Sequence, residues 1–92
     1  MNLKDLATAI ADVTDSVYVD GPVMRDWRPW MDRTTWEMTV NSRLCDGREV
    51  AVTSDGVAYV MPHLPWPQRA QRVRLSSDVE KAAAKVVELV YA

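Results

Sequence analysis

The run from Trp36 to Met61 constrains the fold of this chain more than any other stretch. Apolar side chains alternate through Trp36, Met38, Val40 and Leu44, resume at Val50 and Val52, and end at Val57, Tyr59 and Met61. A two-residue apolar period marks a strand with one buried face. Asp46-Gly47 and Asp55-Gly56 stand between the runs, and Asp-Gly is among the strongest short hairpin signals. The stretch predicts three antiparallel strands joined by two tight turns.

Loop parity predicts the register. A two-residue loop at Asp46-Gly47 would set Leu44 against Glu49 and mix core with solvent on both faces. An odd loop, Cys45-Asp46-Gly47 with Gly47 left-handed, would instead pair Ser42 with Val50 and Val40 with Val52. At the second turn a two-residue Asp55-Gly56 loop would pair Val52 with Tyr59 and Val50 with Met61. Both turns then agree on one apolar face, and a slip of one residue would turn that face outward. The other face, mixed and mostly wet, would carry Glu37, Thr39, Ala51, Thr53, Ala58 and Val60 among others.

Helices flank the meander. Leu3, Leu6, Ile10 and Val13 form a helical stripe over Asn2 to Thr14, with Asn2 as N-cap and Asp5 in the first turn. Ser77 and Glu80 make an S-x-x-E capping box before a second helix, from about Asp78 to Tyr91. Its stripe is Val79, Ala83, Val86 and Val90, and Lys85 and Glu88 form a favourable i,i+3 pair. Ser16 to Asp20 is β-prone and is closed by Gly21-Pro22, so it reads as an edge strand or an extended connection. Val73 and Leu75 alternate with Arg72 and Arg74, which allows a short fourth strand. The predicted fold is α+β, residues 1–92 forming one domain. An antiparallel three- or four-stranded meander carries an N-terminal and a C-terminal helix on one face, in α-β-β-β-α order.

Composition narrows the function. A chain of 92 residues buries only roughly 60–65% of its unfolded surface, a modest core. The net charge of −2 argues against a globally basic nucleic-acid binder. Cys45 is the only cysteine, which excludes an internal disulfide and a multi-cysteine metal site. One histidine and scattered carboxylates supply no metal set, and glycines standing singly in turns make no phosphate loop. Met1 to Ile10 lacks the long apolar run of a secretory signal, and no segment approaches the ~20 apolar residues of a membrane span. The chain reads as a cytoplasmic protein with no membrane contact, no cofactor and no metal. Catalysis is not expected either. Cys45 and His63 would lie two strand spacings apart, about 10 Å, too far for a hydrogen bond.

The aromatic choice is less ordinary: four tryptophans, three tyrosines and no phenylalanine. Val23 to Thr35 fits neither a helical nor a strand period and contains Pro29, so it reads as an irregular loop. Pro62, Pro65 and Pro67 make a second, extended segment around His63 and Trp66. Tryptophan, methionine and arginine are enriched at protein interfaces. The predicted partner-binding surface joins Trp27, Arg28, Trp30, Met31 and Arg33 with Trp66, Arg69 and Arg72. The plainer account makes Trp30 and Trp66 caps on the two ends of the core, and Trp36 is expected to pack inside.

The inferred order of helix, three strands and helix resembles, in layout, that of double-stranded-RNA-binding domains. The resemblance implies nucleic-acid binding, for which Arg69, Arg72 and Arg74 near Trp66 are the candidates. Those domains grip phosphates from the start of their second helix, where this chain carries Asp78 and Glu80. The expected function is therefore a non-catalytic protein-binding module, an accessory protein or stoichiometric inhibitor. In size and composition it is similar to phage-encoded antagonists of host defence, anti-CRISPR proteins included. A nucleic-acid-binding domain and a homodimeric structural protein are the alternatives.

Overall fold

A computed structural model describes residues 1–25, 35–61 and 70–92. The elements are α1 (Leu3–Val13), β1 (Val17–Arg25), β2 (Thr35–Ser42), β3 (Val50–Thr53), β4 (Val57–Val60), β5 (Gln71–Arg74) and α2 (Val79–Val90). The strands form one antiparallel sheet in the order β1-β2-β3-β4-β5. The fold is the expected α+β meander with terminal helices, but with five strands rather than three or four. Both stretches with an open assignment, Ser16 to Asp20 and Arg72 to Leu75, contribute strands.

The α1 stripe buries Leu3, Leu6 and Ile10. Val13, expected to extend it, is 47% exposed as the last residue of the helix. Asn2 caps α1 as expected, its Oδ1 accepting from Asp5 N–H at 3.1 Å. The α2 cap is Asp78, not the Ser77–Glu80 box: Asp78 Oδ1 accepts from Glu80 N–H at 3.0 Å and Lys81 N–H at 3.3 Å. A carboxylate in this position satisfies orphan donors and also opposes the helix dipole. Lys85 and Glu88 pair at 3.2 Å.

One face of the sheet meets the helices. Val17, Met38, Val40, Val50, Val52, Ala58 and Val60 join Leu6, Ile10, Ala82, Ala83, Val86 and Val90 in one core cluster. Truncating a fully buried member such as Ile10 to alanine would cost about 2–5 kcal/mol.

The first hairpin keeps the expected face and shifts the expected register. Val40 opposes Val50, and Met38 opposes Val52, two residues from the predicted pairing, so Val40 and Val52 still point the same way. The reason lies in the connection. Cys45 N–H bonds Ser42 O at 3.1 Å, and Cys45, not Gly47, holds the positive φ of 55°. Gly47 serves a close approach instead. A Cβ there would stand 2.6 Å from the Val90 carbonyl oxygen, and the neighbouring Arg48 N–H donates to that oxygen at 2.7 Å. Leu44, expected in the core, is 82% exposed at the tip of this connection.

The second hairpin reverses a whole strand. Val52 opposes Ala58 and Val50 opposes Val60, so Ala58 and Val60 face the core while Val57 and Tyr59 face away. The loop is Ser54-Asp55-Gly56. Gly56 N–H bonds Thr53 O at 3.0 Å, and Gly56 alone of the three has a positive φ, 82°. That is a type I turn closed by a left-handed glycine, whereas a two-residue type I′ loop needs positive φ at both centres.

The second face is also less wet than expected. Glu37 and Ala51 are 0% exposed, Thr53 is 2% and Val57 is 3%. Glu37 does not stand without a partner there.

Candidate functional site

β1 and β2 place the most exposed aromatic of the sheet. Met24 opposes Trp36 across the two strands, and both lie on the helix-covered face. Along β2 on that face, exposure rises from 0% at Met38 to 48% at Trp36, and Met24 matches it at 48%. The core ends at Met38. Trp36, expected to pack inside, is thus half open, because its parity is right but it stands one alternation beyond the core. Val23 to Arg25, expected in the irregular loop, complete β1 instead.

The strand continues past Gly21-Pro22 because the chain bulges there. Asp20 opposes Thr39 and Val23 opposes Glu37, so Gly21 and Pro22 together face the single residue Met38. This bulge shapes a pocket on the second face, lined by Asp20, Gly21, Val23, Glu37 and Thr39, with a volume of about 240 Å³. Small-molecule sites run to about 300–1,000 Å³ and are mostly apolar, whereas this lining includes Asp20 and Glu37.

At the opposite end of the sheet a hydroxyl chain ties four elements together. Thr14 Oγ1 donates to Ser16 Oγ at 3.0 Å, and Ser16 Oγ and Tyr91 OH are 2.7 Å apart. Tyr91 OH donates onward to Ser42 Oγ at 3.4 Å, and Ser42 Oγ donates to Asp46. Ser42 is 3% exposed, so this network fastens the helix C-termini to the first hairpin rather than presenting a nucleophile. Cys45 beside it is free and exposed. Among the described residues no group of three or more His, Cys, Asp and Glu side chains could hold a metal. No described helix is long and apolar enough to cross a membrane.

β5 carries the described part of the predicted arginine surface. Arg72 opposes Tyr59 and Arg74 opposes Val57, which puts both arginines on the second face, and both are exposed. Neither arginine takes part in the ion pair of Lys85 with Glu88. Of the other predicted surface residues, Trp27, Arg28, Trp30, Met31, Arg33, Trp66 and Arg69 lie outside the described residues, as does His63. Sequence reasoning missed Met24 and Trp36 as a surface pair. The signal available was its position: Trp36 is the first alternating residue of its run, next to the irregular stretch.

Comparison with protein-family models, with curated proteins and with solved structures found no match. The functional reading therefore rests on the chemistry of the chain itself.

Proposed function

We propose that this domain binds another protein through the end of the sheet that carries Met24 and Trp36, without catalysing a reaction. The observation that supports the reading is a tryptophan left 48% exposed beside an equally exposed methionine, held in register on neighbouring strands. A large, stiff aromatic such as tryptophan releases much ordered water when covered and loses little conformational freedom, and the flexible methionine beside it can adapt to a partner's surface. Arg25 and Thr35, the paired ends of β1 and β2, are also the points from which residues 26–34 depart. That segment contains the Trp27, Arg28, Trp30, Met31 and Arg33 cluster, and its composition extends the same interface chemistry. An accessory protein or stoichiometric inhibitor, the phage-type antagonists of host defence being the analogy, is the role we infer.

The test is affinity capture from the native host with the parent and with a Met24→Ser/Trp36→Ser variant, read by quantitative mass spectrometry. Both side chains are half solvated, so the variant should keep its circular dichroism and unfold within about 1 kcal/mol of the parent. One partner should be retained in stoichiometric amount by the parent and lost by the variant. Equal recovery by both would overturn the assignment of this surface.

A further inference from the structure

We propose that the outer edge of β5, which no other described strand pairs, accepts an extended acidic segment of a partner protein as a sixth, antiparallel strand. This rests on the reading of the domain as a protein binder, but it concerns the edge of the sheet farthest from Met24 and Trp36.

The hydrogen-bonding phase of β5 carries the proposal. Leu75 N–H donates to Gly56 O at 2.8 Å, in register with Arg74 opposite Val57. Bonded and non-bonded pairs alternate along an antiparallel ladder. Ala58 with Val73 and Val60 with Gln71 are therefore the bonded pairs. The N–H and C=O groups of Arg72 and Arg74 consequently point away from β4, toward the outer edge of the sheet. These are also the residues whose guanidinium groups are exposed, both on the second face. Backbone donors, backbone acceptors and two positive charges thus project from the same two positions. Val73 between them points to the helix side, where it packs against the core.

A strand added to this edge would have directly opposed residues on the same faces. It would place acids opposite Arg72 and Arg74, with an apolar residue between them beside Val73. The fitting sequence is acid–apolar–acid in extended conformation. Backbone pairing would supply register and the arginines would supply selection, as in strand addition generally. A second copy of β5 does not meet the requirement, since Arg72 and Arg74 would face like charges. Nucleic acid offers phosphates but not the alternating backbone donors and acceptors that would match the outward groups of Arg72 and Arg74, and Asp78 and Glu80 open the helix that follows.

The test is a titration of the full chain with an end-blocked peptide of threonines around a glutamate-valine-glutamate centre, followed by amide chemical shifts. Shifts should concentrate at Arg72 and Arg74, and raising the salt should weaken binding. An Arg72→Glu/Arg74→Glu variant should bind at least tenfold more weakly and recover toward a lysine-valine-lysine peptide. Methylating the two glutamate backbone nitrogens should abolish binding. Binding that survives methylation, or that is displaced more readily by a single-stranded oligonucleotide, would overturn the proposal. No binding of the peptide with intact, Met24/Trp36-dependent capture would overturn this inference alone. Peptide binding without that capture would overturn the other surface alone.

Discussion

The two edges of this sheet differ in what they would oppose to an added strand. β1 is nine residues long, and a long edge strand with open backbone groups is a template for aggregation. Arg43 N–H bonds Ser16 O at 2.8 Å, and the same alternation turns the backbone groups of Val17 and Val19 outward. Two residues further on the chain bulges, and Pro22 has no N–H to offer. An incoming strand could make its first contacts there and then lose register. β5 has only four residues and neither bulge nor proline. On the proposal above, the pair of arginines bars it to a second copy. A geometric block excludes every partner, whereas a charge block excludes only partners of the same sign. The difference is why an acceptor site is assigned to β5 and not to β1.

If the bulge is integral to β1, disturbing it should have the largest effect. Gly21 sits at φ 103°, and a Cβ there would stand 2.9 Å from the Glu37 carbonyl oxygen and 3.2 Å from Met38 Cα. Those neighbours are backbone and cannot move aside cheaply. Gly21→Ala should therefore destabilise the protein by about 3 kcal/mol or more, combining an unfavourable φ with overpacking. A urea midpoint lowered at unchanged m-value would show it. A variant within about 0.5 kcal/mol of the parent would mean that β1 tolerates another conformation here. β5 has no such device, and its attachment depends on the residue after it. Leu75 is 7% exposed and donates to Gly56 O. Leu75→Ala should cost about 2–3 kcal/mol, and amide exchange at Val73 should accelerate more than at Val40.

The edges also separate what could be read in the sequence from what could not. Periodicity found both helices and the core face of β2 and β3, because two strands and a parity argument suffice for that. It failed at the turns. Asp46-Gly47 and Asp55-Gly56 look alike, yet Gly56 closes a turn by its φ, whereas Gly47 is small to admit the Val90 carbonyl. That oxygen belongs to the far end of the chain, so no local rule could reveal it. The extra residue in the second loop then reversed β4. Its side chains Val57, Ala58, Tyr59 and Val60 are apolar on both faces, so composition gave no warning. Gly21-Pro22 was read as a terminator for a similar reason: a bulge is visible only once the partner strand is in place. Of the proposed acceptor edge, Arg72 is a candidate that the sequence alone supplies, whereas the outward phase of its backbone follows only from the Leu75–Gly56 bond.

Removing the charge block on β5 should act on association rather than on stability. Arg72→Thr/Arg74→Thr changes two exposed residues, and threonine suits a strand. Thermal unfolding at low protein concentration should stay within about 0.5 kcal/mol of the parent. Light scattering, however, should show a dimer growing with concentration, since nothing then prevents one β5 from pairing with another. A variant that stays monomeric would mean that four residues are too few to pair, and that the arginines are not the block.

The counterpart on β1 should do nothing, which makes it the sharpest comparison. Asp20 is the one charged residue in the first half of β1, exposed on the second face beside the bulge. Were charge the device that closes this edge too, Asp20→Val would leave it open, with Tyr18 and Val23 as apolar neighbours to favour association. If the bulge and Pro22 close it, the backbone mismatch remains whatever side chain stands at this position. A strand added along Val17 and Val19 would still run out of donors. The Asp20→Val protein should therefore remain monomeric at concentrations where the β5 variant associates, with stability within about 0.5 kcal/mol of the parent. A dimer formed by Asp20→Val would place charge, not backbone geometry, in control of both edges. β1 would then be as open to a strand of suitable charge as β5, and the reason for assigning the acceptor site to β5 would be lost.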